Sequence, residues 1–239
     1  MLPHRAPRQG PRRLLAAVLW LVGQASGCAL RSGGAPGAVA GRVRFRGPVP
    51  EEHRGPIEVT PCGNEVGRET LVVSRTGGVK WAVVTIDPLG GTPAPSPRQP
   101  AALVLDNREC RFEPRVQVAR PGDLLEVKNS DAVFHNVRAL GAFEANLGLP
   151  GGAAAKAGTL RRAGGVTLVC DVHGWMRAHI RVAEVPHHAV TGPEGEFQIE
   201  PLPPGKHRLE VWHEALRAHE EEIEVQAGKT SAVEPELEL

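Results

Sequence analysis

Three side chains that can bind a soft metal follow one another at three-residue intervals. Cys170, His173 and Met176 come directly after residues 166–169, a β-branched and apolar stretch that predicts a strand. A thiolate, an imidazole nitrogen and a thioether suit copper in both of its oxidation states. A site that cycles between Cu(I) and Cu(II) combines one thiolate with two imidazoles and a distant methionine. The spacing therefore predicts a copper site whose second histidine comes from elsewhere in the chain.

His135 is the candidate for that second histidine. Residues 121–137 contain a Pro-Gly turn, an alternating strand at 124–128, a break at 129–131 and then His135-Asn136-Val137. Here the chain resembles the cupredoxins, the blue-copper proteins, and the spacing of the later ligands is most similar to an amicyanin-type loop. The resemblance implies one copper held by His135, Cys170, His173 and Met176, with Asn136 tethering the cysteine loop. The alternative is that these residues only pack in the core.

Composition limits the fold class and the partners. The 239 residues carry 28 basic and 27 acidic side chains, a net charge of +1, with no basic stripe interleaved with aromatic residues. We therefore expect no nucleic-acid partner. The 28 glycines and 22 prolines favour short strands and turns, and no segment has sustained helical periodicity. The predicted fold class is all-β, and the resemblance implies a cupredoxin-like Greek-key β-sandwich.

The amino terminus is predicted to direct export. Residues 1–28 combine four arginines with a short apolar run at 14–22, which is typical of a signal peptide and too short to span a bilayer. Residues 25–28 resemble a lipobox, so lipidation of Cys28 and plain secretion are both open. We expect a periplasmic or cell-envelope location, with membrane contact only through Cys28. Residues 29–38 are predicted to be a linker.

Two further cysteines are left after these assignments. Cys62 and Cys110 belong to a chain predicted to be exported, where leftover cysteines most often pair. We therefore predict a Cys62–Cys110 disulfide. A second metal site that uses both thiols is the alternative.

The chain changes character at residue 186. Residues 39–185 are predicted to form the cupredoxin-like domain, and residues 147–158, rich in Gly and Ala, are predicted to be a loop. Residues 186–239 contain Thr191-x-x-x-Gly-x-Phe-x-Ile and Leu-Pro-Pro-Gly, and they resemble carboxypeptidase-regulatory-like (transthyretin-like) β-sandwich modules. Since this segment is short for a whole sandwich, residues 39–86 are the alternative source of its missing strands.

The combined motifs resemble exported bacterial plastocyanin-like proteins, some of them methylamine-utilisation-like. They imply a blue-copper protein that exchanges single electrons with an unidentified redox protein. No catalytic motif is present, so we expect no enzyme activity. Copper delivery and a metal-free scaffold are the alternatives. Two residues depart from the pattern, Arg115 in place of His and Gly174 in place of Pro. We also expect the ring edge of His173 to reach the surface, with Gly174 and Trp175 beside it.

Overall fold

The structure is a computed structural model that describes residues 34–49, 58–67, 69–89 and 98–239. The predicted signal peptide at 1–28 and residues 29–33 of the predicted linker lie outside these ranges. All regular structure within the described ranges is β-strand. No helix that is long and apolar enough to cross a membrane occurs there.

The strands follow one another in chain order. They are β1 Gly37–Arg42, β2 Arg44–Phe45, β3 Glu58–Val59, β4 Glu65–Val66, β5 Val83–Pro88, β6 Ala102–Arg108, β7 Arg111–Glu113, β8 Val116–Ala119, β9 Leu124–Asn129, β10 His135–Gly141, β11 Ala145–Leu149, β12 Ala154–Thr159, β13 Gly164–Val169, β14 Arg177–Val182, β15 His188–Val190, β16 Glu196–Leu202, β17 Gly205–His213, β18 Leu216–Val225, β19 Thr230–Val233 and β20 Glu236–Leu237.

The strands from β6 to β14 form one sandwich. Its two sheets have the strand orders β11-β10-β13-β14-β8 and β12-β9-β6-β7. Alternating apolar side chains from both sheets meet in one buried cluster, in which Leu105 and Leu125 of one sheet pack with Leu168 and Ile180 of the other. β6 pairs in parallel with β9, and β8 with β14, so long crossovers connect the two sheets.

The remaining long strands form a second, smaller sandwich. A sheet of order β16-β1-β19 faces one of order β15-β5-β17-β18, with Val39, Ile86, Leu209 and Val211 in its core. Strand pairing places β1 and β5 with the C-terminal strands, the arrangement in which residues 39–86 complete the C-terminal module. The predicted fold class, an all-β chain with a cupredoxin-like sandwich and a smaller C-terminal β module, is confirmed.

The segment predicted to be a loop at 147–158 forms parts of two strands instead. β11 pairs with β10, and β12 pairs with β9, each at the edge of a sheet. β12 is mainly Ala and Gly, and β11 has a short alternation of Ala145, Leu147 and Leu149 that the glycines and alanines around it obscure. Backbone hydrogen bonds to the neighbouring strand hold both strands in the sheets, and small side chains such as Ala155 and Ala157 pack against the core. The loop prediction was therefore wrong.

A buried group of charged and polar side chains joins the two sandwiches. Arg115 and His179 of the first sandwich both contact the carboxylate of Glu214, which follows β17 in the second. His213, the residue before Glu214, is also buried, and these four residues (Arg115, His179, His213 and Glu214) are called here the junction cluster. The backbone N–H of Ala215 donates to His213 Nδ1 at 3.2 Å, so that nitrogen must be unprotonated. Burial lowers the pKa of His213 to about 4, in spite of the neighbouring Glu214 carboxylate.

This neutral histidine should make stability depend on pH. The unfolded chain binds a proton at His213 below about pH 6.5, whereas the folded protein resists doing so until about pH 4. Above pH 6.5, His213 therefore does not reduce the free energy of unfolding. As the pH falls from 6.5 towards 4, the free energy of unfolding decreases by about 3 kcal/mol. Urea unfolding at pH 7 and pH 4.5 measures it.

A His213→Gln variant should lose less stability than the wild type between these two pH values. Exposed His188→Gln, which removes a histidine from the surface, should keep the wild-type difference. Equal differences in the wild type and in His213→Gln would show that His213 is not the titrating group.

Candidate metal centre

The pairing of β10 with β13 brings the predicted ligands to one end of the first sandwich. β10 begins at His135, and β13 ends at Val169, one residue before Cys170. The two strands are antiparallel neighbours, with Arg138 opposite Val169. The start of β10 therefore lies beside the end of β13, and His135 meets the segment from Cys170 to Met176, called here the ligand loop.

Backbone hydrogen bonds close the ligand loop on itself. The N–H of Met176 donates to the carbonyl of His173 at 2.9 Å, and the N–H of Cys170 donates to the carbonyl of Met176 at 3.3 Å. β14 begins at the next residue, Arg177, so a strand anchors each end of the loop. The loop is therefore a tight turn that presents three of the predicted ligands from a fixed backbone.

Three of the four predicted donors converge. His135 Nδ1 lies 2.9 Å from His173 Nδ1, and Cys170 Sγ lies 3.7 Å from His173 Nδ1. The donor atoms of the three residues all lie within 4.8 Å of one another. The exposed fractions are 0% for His135, 3% for Cys170, 6% for His173 and 2% for Met176. Met176 belongs to the same buried cluster as Cys170, so its thioether lies on the interior side of the three other donors.

Asn136 holds the ligand loop against β10. Its Oδ1 accepts the backbone N–H of Asp171 at 2.7 Å, and its Nδ2 donates to the side-chain Oδ2 of Asp171 at 2.9 Å. Cys170 Sγ lies 3.4 Å from the same Asn136 Oδ1. This is the tether that the resemblance to cupredoxins implies for Asn136.

The orientation of His135 fits a metal ligand. Its Nε2 lies 2.9 Å from Asp131 Oδ2, and since a carboxylate only accepts, the ring proton is on Nε2. In the neutral form of the ring, the lone pair of Nδ1 then faces Cys170 and His173. Metal-binding histidines commonly donate their other ring N–H to a carboxylate in this way. Two imidazoles, a thiolate and a nearby thioether suit copper, because zinc sites use Cys, His and carboxylates but not Met.

Cys170 and His173 favour the protonation states that bind a metal, whereas His135 favours its protonated form. Burial raises the pKa of the Cys170 thiol, but hydrogen bonds from His135 and from backbone N–H groups outweigh burial and lower it. Burial likewise opposes the charged form of His135, but Cys170 and Asp131 raise its pKa overall. Burial and the neighbouring His135 lower the pKa of His173. A thiolate and a neutral imidazole are the forms that bind a metal.

The expectation that the ring edge of His173 reaches the surface was wrong. His173 is buried, and Trp175 covers one side of it, with ring centroids 5.2 Å apart. Trp175 packs against the core of the first sandwich, and its indole N–H donates to the carbonyl of Cys110 at 2.9 Å. The apolar side chains that are exposed beside the ligands are Phe134, at 50%, and Val172, at 56%.

Asp131 and Arg115 support the site, and the sequence alone predicts neither role. Asp131 was interpreted only as part of a strand break, and Arg115 only as a departure from the expected histidine. Arg115 is buried, and its Nη1 donates to the carbonyl of Arg177, next to Met176, at 2.9 Å. A carboxylate four residues before a candidate ligand was the available signal for Asp131. No local pattern links Arg115 to Glu214, 99 positions away.

The predicted Cys62–Cys110 disulfide is present, and Cys170 is the one free cysteine within the described ranges. The two disulfide sulfurs and one donor atom each of Asp131 and His135 lie within 4.8 Å of one another. The disulfide is therefore immediately next to the candidate metal centre.

Comparison with known proteins gives matches to two parts of the chain. The carboxypeptidase regulatory-like domain family matches residues 174–238, which confirms the predicted C-terminal module. This range begins inside the ligand loop and includes the strands from β14 to β20. Comparison with curated protein sequences gives no match.

The similar solved structures include three copper-protein or cupredoxin folds. A Cu-containing nitrite reductase from Thermus scotoductus SA-01 is 18% identical over 40% of this chain, with a TM-score of 0.32, and the chain spans only 24% of it. Amicyanin from Paracoccus versutus is 20% identical, with 38% of this chain and 87% of amicyanin covered and a TM-score of 0.30. A purple cupredoxin from Nitrosopumilus maritimus is 18% identical, with 35% and 99% covered and a TM-score of 0.30. Each similarity concerns about two-fifths of this chain or less.

The cysteine assignment can be tested by alkylation and peptide mapping. Without a reductant, Cys170 should be modified slowly in the native protein, because it is buried, and completely after denaturation. Cys62 and Cys110 should be modified only after reduction. Modification of Cys62 or Cys110 in denatured, unreduced protein would contradict the disulfide.

Proposed function

We propose that His135, Cys170, His173 and Met176 hold one copper ion and that the protein transfers single electrons between redox partners. The observation that carries this proposal is the convergence of two imidazole Nδ1 atoms, 2.9 Å apart, on a buried thiol. Bound copper would supply one-electron exchange between Cu(I) and Cu(II). The Met176 thioether, buried in the same cluster as Cys170, is the remaining donor of this set.

The surroundings of the four donors suit electron transfer. Asn136 and Asp131 fix the ligand loop and the His135 ring, so the donors are held before any metal binds. Burial keeps water away from the donor atoms. Little has to move when the charge of the site changes, which favours fast electron exchange over binding and release of a substrate.

We also infer that the protein is not an enzyme. Copper chemistry on a substrate needs an open coordination position. Here two imidazoles, a thiolate and a thioether supply four protein donors, and all four side chains are nearly inaccessible to solvent. An exported location, in the periplasm or the cell envelope, agrees with the Cys62–Cys110 disulfide, since disulfides persist in oxidising compartments.

Addition of one equivalent of Cu(II) to the purified protein should produce an intense visible band, because thiolate-to-copper charge transfer is strongly coloured. Cys170→Ser should abolish the band. Met176→Leu should keep copper but raise the reduction potential, because it would remove a donor that stabilises Cu(II). Absorption spectroscopy and protein-film voltammetry measure both effects.

A colourless copper-bound wild type would point to copper storage or delivery. A wild type that takes up no copper would support the metal-free scaffold. Either result would contradict the proposed electron carrier.

The exposed side chains of Phe134 and Val172 are proposed as the surface through which electrons leave. Each directly precedes a histidine of the centre, and small apolar contacts suit partners that must separate quickly. Val172→Asp should slow electron self-exchange between oxidised and reduced copies at least tenfold, because facing copies would repel. NMR line broadening in mixtures of the two oxidation states measures this rate.

Leu140→Asp is the matched control for this surface. Leu140 is 43% exposed and lies near the other end of β10, away from His135. Its variant should exchange electrons at the wild-type rate, and both variants should keep the visible band. Equal rates for all three proteins would show that electrons do not leave beside Val172.

A further inference from the structure

The two-residue turn between β6 and β7 has an unfavourable backbone. Glu109 and Cys110 have φ angles of 52° and 53°, in the left-handed region that residues other than glycine seldom adopt. Consecutive residues of this kind occur in tight hairpin turns, where Asn and Gly are usual. Such a conformation persists only where its surroundings hold it. This pair of residues is called here the Cys110 turn.

Three separate contacts hold the Cys110 turn. The carboxylate of Asp131 accepts the N–H of Glu109 at 2.6 Å and the N–H of Cys110 at 2.9 Å. Asn64 Nδ2 donates to the carbonyl of Glu109 at 2.7 Å. The disulfide joins Cys110 to Cys62, which lies in the same short segment as Asn64.

The same turn reaches both imidazoles of the metal centre by different routes. Asp131, which accepts the two N–H groups of the turn, also accepts the ring N–H of His135 at 2.9 Å. On the other side, the carbonyl of Cys110 accepts the indole N–H of Trp175 at 2.9 Å, and the Trp175 ring lies against His173. Displacement of Cys110 would therefore disturb both histidines together.

We propose that the Cys110 turn positions His135 and His173 through Asp131 and Trp175, and that reduction of the Cys62–Cys110 disulfide weakens copper binding. This inference rests on the proposed function, since it takes the two imidazoles as copper ligands. Asp131 and Trp175 are positioning residues in this scheme, because each acts through a histidine.

The chemistry requires a dithiol reductant. Cys62 is partly exposed and Cys110 is fully buried, so a thiolate of the reductant attacks Cys62 Sγ and Cys110 Sγ leaves as a thiolate. The second thiol of the reductant then releases Cys62 and closes the disulfide of the reductant. The protein gains two electrons and two protons, and the Cys110 turn loses its covalent anchor. Its backbone is then free to leave the left-handed region.

Copper affinity tests the proposal without any redox partner. Competition with a Cu(I) chelator should show at least tenfold weaker binding for the Cys62→Ala/Cys110→Ala double variant than for the wild type. Asp131→Asn and Trp175→Phe, both with the disulfide intact, should each weaken binding, because partners of metal-bound histidines are typically worth ten- to a hundredfold in affinity. The Cu(II) electron paramagnetic resonance spectrum should change in all three variants.

Asp123→Asn provides a matched control in the same sandwich. Asp123 is buried, and its carboxylate accepts the N–H groups of Ala101 and Arg120, both at 2.8 Å, but no imidazole. This variant should bind copper like the wild type even if it is less stable. If the double variant fails to fold, as judged by circular dichroism, Asp131→Asn and Trp175→Phe still decide the question.

The metal-free protein separates failure of this inference from failure of the proposed function. NMR shifts of the ring nitrogens of His135 and His173 should move when the disulfide is reduced, whether or not copper binds. A wild type that takes up no copper would reject the proposed function. A wild type that binds copper, with unchanged affinity in the variants and unchanged ring shifts on reduction, would reject the role of the Cys110 turn.

Discussion

The antiparallel pairing of β10 with β13 is the constraint on which the candidate centre depends. His135 and Cys170 are 35 positions apart in the chain, and they meet because one strand begins where its neighbour ends. The alternation of side chains in a paired strand turns Val137 and Ala139 into the core. A shift of this register by one residue would exchange core and surface along β10 and move His135 away from the ligand loop. The hydrophobic core of the sandwich therefore also fixes the position of the donors.

Burial of so many polar donors is costly unless each one has a partner. Here the polar groups are hydrogen-bonded by side chains that each contact two structural elements. Asn136 bonds both to the backbone and to the side chain of Asp171, and Asp131 joins a backbone turn to an imidazole. Because these partners come from different elements, the site is held from several sides. Such support keeps the donors in place without a metal.

The candidate metal-binding residues and the C-terminal module were accessible from sequence because their signals are local. Cys170, His173 and Met176 lie within one turn-forming loop, and the Thr191 motif and its Leu-Pro-Pro-Gly corner lie within fifteen residues. The edge strands β11 and β12 were missed because the Gly- and Ala-rich composition of residues 147–158 is typical of loops, while the alternation in β11 covers only three apolar residues. The contact between Trp175 and Cys110, 65 positions apart, forms only in the folded chain, and no sequence spacing predicts it.

Arg115 shows how one departure from an expected pattern changes the chemistry of a position. A guanidinium stays protonated and has no lone pair to offer, so Arg115 cannot bind a metal where a histidine could. In this chain it joins three parts of the fold instead, since it contacts Glu214 of the second sandwich, lies over the ring of Trp81 and donates to the carbonyl of Arg177. That carbonyl adjoins Met176. Arg115 thus connects Glu214 of the second sandwich to the end of the ligand loop. Loss of Glu214 would leave the buried guanidinium without a counter-charge and would disturb this connection.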